Sequence, residues 1–189
     1  MPEDVSGRSP QDKIIEPIRY ALNELLENAL THSRRHGYVH ANVWVACQYY
    51  PKADTAVLAV ADNGCGIWET LKNQKNLGLN SHLDAFKASL LEKVSCNREV
   101  ALGFADSVNE GLGLTTTRRI ADGTKGRLII VSGDAVYRSD EESGNYLDDG
   151  GLWQGVAVSV ELKRDLLSSV DFRKYFPRDN QDIPGIQFE

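Results

Sequence analysis

"TAVLAVADNGCGIWET", residues 55–70, carries a nearly continuous apolar run straight into an aspartate, an asparagine and two glycines one residue apart. The first half is apolar and reads as a buried strand ending at Asp62. A plain turn would need only one of Asp62, Asn63, Gly64 and Gly66, so the second half holds more than a change of direction requires. An aspartate at the end of a buried strand is a fixed acceptor, and the glycines let the chain turn sharply and a flat ligand come close without a Cβ in the way. A common loop tripeptide is the plainer reading of the same residues.

Immediately upstream, "HANVWVACQYY" (40–50) alternates and is rich in β-branched and aromatic residues, and "PKAD" joins it to the apolar run as a hairpin. Before it, Ile15, Ile18, Leu22, Leu25, Leu26 and Ala29 recur every three or four residues, which predicts a helix over about 12–35 with one buried face. Pro17 falls near the start of that helix or splits off a short leading turn. Residues 1–10, polar and rich in Pro, Ser and Gly, read as a flexible leader.

Downstream, residues 63–110 show few strand signals and one helical stretch at about 83–94. So long an excursion inside a compact domain suggests a lid, here over about 68–110. "GLGLTTTRRIADG" (111–123) opens on glycines and continues as a helix, followed by the strands "GRLIIVSG" (126–133) and "WQGVAVSVELK" (153–163). Between those strands, six acids and one arginine over 134–151 read as a solvated loop or a long hairpin tip. A tail over 164–189 has one short helical signal, "LLSSVDFRKYF". The order helix, strand, strand, lid, helix, strand, strand predicts an α+β two-layer sandwich over 11–163, its mixed, mainly antiparallel sheet carrying helices on one face.

At 189 residues the chain is sized for one domain with tails, and its hydrophobic fraction of 41% and charged fraction of 25% are those of a globular protein. A net charge of -6 argues against broad binding to nucleic acid or anionic membrane, both of which need a basic surface. No apolar run reaches the roughly 20 residues of a membrane span, and the amino terminus lacks a secretory h-region. Cys47, Cys65 and Cys96 make neither a disulfide framework nor a zinc motif, so a reducing cytoplasm is the expected setting.

Three stretches hold candidate chemistry. In "NELLENALTHS", Glu24, Asn28 and His32 stand at four-residue intervals on one helix face, either as a solvated stripe or as groups pointing into a cleft. "DNGCGI" is the second. "NEGLGLTTTRRIA" puts glycines at the mouth of a helix, where free amides and the positive dipole end suit phosphate, and Thr115, Thr116 and Thr117 could add hydroxyl donors; a glycine-rich lead into an ordinary helix is the alternative. No P-loop, Rossmann fingerprint or GxSxG elbow is present, and His32, His36 and His40 lack the second cluster a zinc site needs.

In this order, "ELLENA", "DNGCGI" and "GLGL" resemble the N box and the two glycine boxes of the histidine-kinase-like ATPase superfamily, over about residues 12–163. The resemblance implies a two-layer sandwich, the Bergerat fold, binding ATP or ADP with Mg²⁺ under a mobile lid. It makes Asn28 the Mg²⁺ ligand and Glu24 the catalytic residue that, in the ATPase branches, orients or deprotonates the attacking water. It makes Asp62 the acceptor for the adenine amino group, with Gly64, Gly66 and Ile67 beside the base, and gives the phosphates to Gly111, Leu112, Gly113, Leu114 and Thr115. The chain departs from the pattern at Asn109, where the family has glycine, and at Val156, where the closing strand often has threonine. His32 resembles a histidine of some sensor-kinase N boxes or simply packs at the helix end.

Too little chain precedes the N box for the dimerisation helices of a sensor kinase. The expected activity is therefore ATP hydrolysis or transfer of the γ-phosphate to a separate protein partner, as in stand-alone serine kinases that act as anti-sigma factors. An ATP-gated switch with little turnover, or the nucleotide domain of a larger machine, is the alternative.

Overall fold

The computed structural model describes residues 9–34, 36–74, 77–90, 113–141, 143–171 and 174. Helix α1 spans Pro10–His32 and starts earlier than its apolar spacing predicts, because Ser9 and Asp12 close a reciprocal capping box. The Asp12 amide donates to Ser9 Oγ at 3.2 Å, and the Ser9 amide donates to Asp12 Oδ2 at 3.0 Å. Two residues assigned to the leader are thus the cap and first turn of the helix. Pro17 does not split α1; its ring is fully buried, which offsets the backbone hydrogen bond that proline removes.

Six strands follow among the described residues: β1 Val43–Tyr50, β2 Thr55–Asp62, β3 Arg127–Gly133, β4 Ala135–Arg138, β5 Ser143–Tyr146 and β6 Trp153–Lys163. They form one sheet in the order β1-β2-β6-β3-β4-β5, and every neighbouring pair is antiparallel. The register aligns Leu58 and Leu128 with Val160 between them, and this face, with Val60, Ile130, Val158 and Leu162, is buried. The opposite face, with Ala59, Ser159 and Ile129, is half-buried. Helices α1, α2 (Gly66–Leu71), α3 (His82–Ser89), α4 (Gly113–Gly123) and the short α5 (Arg164–Leu167) complete the two-layer α+β sandwich.

Two differences from the sequence reading have physical causes. The acidic segment is not simply a loop: β4 and β5 add two strands to the sheet, because Ala135, Val136 and Tyr137 are buried while the acids Asp140, Glu141, Asp148 and Asp149 stay exposed at the turns. Helix α3 covers this addition, and Leu83 lies where a side chain on Gly144 would go. Second, the residues after the glycine loop enter helix α2 directly, where no helix was expected. The predicted helix over 83–94 matches α3 as far as Ser89, and the rest of the expected lid from 91 to 110, with Asn109, lies outside the described residues, as do Gly111 and Leu112.

Candidate functional site

Asp62 is the last residue of β2, and its side chain falls on the buried face, 3% exposed. Its Oδ1 accepts the Gly64 amide at 2.8 Å, and the Val156 amide also bonds to the carboxylate. Burial lifts the Asp62 carboxyl above its ordinary value, and the two amides pull it part of the way back. A carboxylate offers about four lone-pair positions, so two amides leave acceptor capacity for a further N–H donor. Gly155, at φ +95°, passes so close that a Cβ there would stand 2.7 Å from Asp62 Oδ1, and Trp153 Nε1 donates to the Asp62 carbonyl at 3.1 Å.

The glycines of the loop are required by protein packing. A Cβ on Gly64 would lie 2.1 Å from the Ser33 carbonyl oxygen, and one on Gly66, at φ +75°, 3.0 Å from Ser132 Oγ. Their missing side chains admit the end of α1 and the ends of β3 and β6. The Cys65 amide donates to the Ser33 carbonyl at 3.2 Å, and Cys65 Sγ donates to the His32 carbonyl at 3.1 Å. Ile67 is buried, with its amide donating to Ser132 Oγ at 3.1 Å. These bonds fasten the carboxyl end of α1 to the loop after β2.

The amino-terminal part of the same helix stripe meets α4. Glu24 and Asn28 are both half-buried, one helical turn or about 6 Å apart. The Glu24 carboxylate lies against Gly113, where a Cβ would stand 2.1 Å from Oε2. Burial raises the Glu24 carboxyl above its ordinary value; the Tyr20 hydroxyl lowers it, and the nearby Glu27 charge raises it further. Helix α1 thus links both remaining stretches: Glu24 touches the first residue of α4, and His32 and Ser33 hold the loop that follows Asp62. Asn28 lies on the helix between these two contacts.

The three threonines of α4 are buried. Thr115 is buried and donates to the Leu90 carbonyl at 3.2 Å, while Thr116 and Thr117 are 1% and 0% exposed. An amphipathic helix packed between α1 and the sheet turns all three inward, which a triple polar run in the sequence conceals. Leu114 is half-buried against the core. Residues that the sequence reading left out, Trp153, Ser132 and Ser33, brace the Asp62 loop; their only signal is position at a strand or helix end.

Among the described residues no group of three or more His, Cys, Asp or Glu side chains could hold a metal ion. A cation here would therefore take most of its ligands from phosphate oxygens and water, as Mg²⁺ commonly does. The Asn28 amide is suited to add one neutral oxygen to that set. No helix among the described residues is long and apolar enough to cross a membrane. Compared with known families, residues 14–165 match the model described as "Histidine kinase-, DNA gyrase B-, and HSP90-like ATPase". No curated protein matches the chain.

Proposed function

The chain belongs to the histidine kinase-, DNA gyrase B- and HSP90-like ATPase family by its match over residues 14–165, and from that membership we propose that it binds Mg-ATP and uses Glu24 to drive attack on the γ-phosphate. It is an ATP-binding domain of the histidine-kinase-like type. The attacking group is water or a hydroxyl of a partner protein, the products are ADP and phosphate or a phosphorylated partner, and the cytoplasm is its setting.

What supports the reading is the way α1 connects the three sequence stretches: Glu24 against Gly113 at one end, and Ser33 against Gly64 and Cys65, next to Asp62, at the other. In this reading the free acceptor capacity of the Asp62 carboxylate takes the adenine amino group. The backbone amides of Gly111, Leu112, Gly113 and Leu114, with Thr115, hold the phosphates. Asn28 supplies one oxygen to Mg²⁺, whose charge neutralises the triphosphate. A half-buried carboxylate with a raised proton affinity is suited to accept the proton of the attacking hydroxyl. The unit that performs this work runs over 11–163.

Calorimetric titration with ATP, ADP and GTP, each with and without Mg²⁺, tests the pocket, the base preference and the metal together. ATP and ADP are expected to bind more tightly than GTP by at least tenfold, and Mg²⁺ to strengthen ATP binding more than ADP binding. Equal affinity for GTP would remove Asp62 from its role, and no heat with any nucleotide would remove the proposal. Replacing Glu24 with Gln is expected to leave binding within about threefold and to lower turnover by at least 100-fold.

A further inference from the structure

Strand β1 ends the sheet, and its register shows which backbone groups look outward. The Asn63 amide donates to the Asn42 carbonyl at 3.4 Å, one pair beyond the β1–β2 ladder. Hydrogen-bonded pairs alternate along an antiparallel ladder. Trp44, Ala46, Gln48 and Tyr50 therefore bond to β2, and the N–H and C=O groups of Val43, Val45, Cys47 and Tyr49 point to the open edge. The side chains of these last four residues lie on the helix side of the sheet, since Val45 stands opposite the buried Val60 and Cys47 opposite the buried Leu58. Helix α1 packs on β2, and Val45, Cys47 and Tyr49 stay exposed. The Tyr49 hydroxyl donates to Asp54 Oδ1, which fixes the ring in that exposed position. At the margin of the buried face of α1, across the helix from Glu24 and so away from α4, Ile15, Leu22, Leu26 and Leu30 recur at helical spacing, and Ile15 and Leu30 are exposed as well.

We propose that β1 pairs antiparallel with β1 of a second copy of this chain, about a two-fold axis at Ala46, so that the two sheets become one. Outward groups bond only to outward groups, so the axis has to pass through a residue. An axis at Ala46 sets Val43 against Tyr49 of the partner subunit and Val45 against Cys47 of the partner subunit, which engages every outward residue of both strands; an axis at another residue leaves some of them without a strand partner. Two-fold pairing also sets like beside like, so a charge on the strand would meet its own kind. Strand β1 carries none, although the chain as a whole stands at -6. The two α1 margins then flank a shared apolar row made by Val45, Cys47 and Tyr49 of both copies. Half-exposed Trp44, Tyr49 and Tyr50 each have about 100 Å² left to bury, and with Val45, Ile15, Leu30 and the strand backbone the contact approaches the roughly 800 Å² per partner of a standard-size interface. Each copy engages its one β1, so the assembly closes at two.

Sedimentation equilibrium of the full chain without nucleotide is expected to show reversible dimers with a Kd of about 1–100 μM. A chain that stays monomeric at about 1 mM, or one that grows beyond dimers, would overturn the proposal. Val45→Lys is expected to weaken dimerisation at least tenfold with the far-UV spectrum of wild type, and an unchanged Kd would place the contact elsewhere and overturn it. The register has its own test. Ala46→Cys, in a Cys47→Ser, Cys96→Ser background, puts two thiols across the axis with Cα atoms about 4.5 Å apart, within disulfide reach. Mild oxidation is expected to link these chains as dimers, and Gln48→Cys in the same background to link at least tenfold more slowly. Faster linking at Gln48 than at Ala46 would overturn the axis and with it the proposed pairing.

Discussion

Glu24 carries a charge that its surroundings disfavour, and the sign of that cost is measurable without any ligand. Its folded-state carboxyl is raised above the ordinary value, with burial the largest cause. Over the pH range between the unfolded and folded values, the folded chain binds more protons than the unfolded one, so stability falls as pH rises through the folded value. The protonated carboxyl contributes fully below the unfolded value, and that contribution is lost above the folded one. Glu24→Gln removes the charge and keeps the size and shape of the side chain. The variant is therefore expected to melt higher than wild type at pH 7.5, by about 2–4 °C for each kcal/mol of relieved burial. The difference should shrink as pH falls toward 4.5, the ordinary carboxylate value. A variant less stable than wild type at pH 7.5 would contradict the burial account.

At the scale of elements, two glycines look alike in the sequence and differ in what they admit. A Cβ on Gly64 would meet the Ser33 backbone, at 2.1 Å from its oxygen and 2.4 Å from its Cα, and backbone at a helix end has no rotamer by which to yield. A Cβ on Gly113 would meet Glu24 Oε2 at 2.1 Å, the tip of a flexible side chain. Gly64→Ala is accordingly expected to cost about 2–4 kcal/mol in urea unfolding, by prising α1 from the loop after Asp62. Gly113→Ala is expected to change stability by less than about 1 kcal/mol, because alanine favours a helix and the carboxylate can swing aside. The displaced carboxylate should show instead as lost turnover. Equal stability losses in the two variants would show that the glycines share one role.

That contrast marks where the sequence is legible. Strand β2 ends at Asp62 as its apolar run predicts, β6 spans the predicted 153–163, and Ile18, Leu22, Leu25, Leu26 and Ala29 pack on the core side of α1 as their spacing predicts, while Ile15, expected on that face, is 45% exposed. The positions of Glu24, Asn28 and Asp62 were also legible, since the helix period and the strand end fix them. What the glycines make room for was not legible: the neighbours are Ser33 and Glu24, brought in by the fold from other parts of the chain. Strands β4 and β5 were hidden for a related reason, because the exposed acids at their turns dominate a short window in which only three consecutive residues are buried.

Seen as a whole molecule, the sheet ends differently on its two sides. Strand β5 is four residues long, holds a glycine, and is covered by α3. Strand β1 is eight residues long, contains no charge, proline or glycine, and is exposed from Trp44 to Tyr50. Natural sheets usually blunt such an edge with a lysine, a proline or a bulge, because its unpaired backbone groups can template another strand. Val45 and Val60 face each other across the β1–β2 ladder, yet Val45 is 51% exposed and Val60 only 2%. One substitution should therefore read opposite at the two places. Val45→Lys is expected to leave unfolding stability within about 0.5 kcal/mol and to reduce concentration-dependent self-association in light scattering. Val60→Lys buries an unpaired ammonium in the core and is expected to prevent folding. Unchanged association in Val45→Lys would mean that the shape of β1, through its twist, already protects the edge.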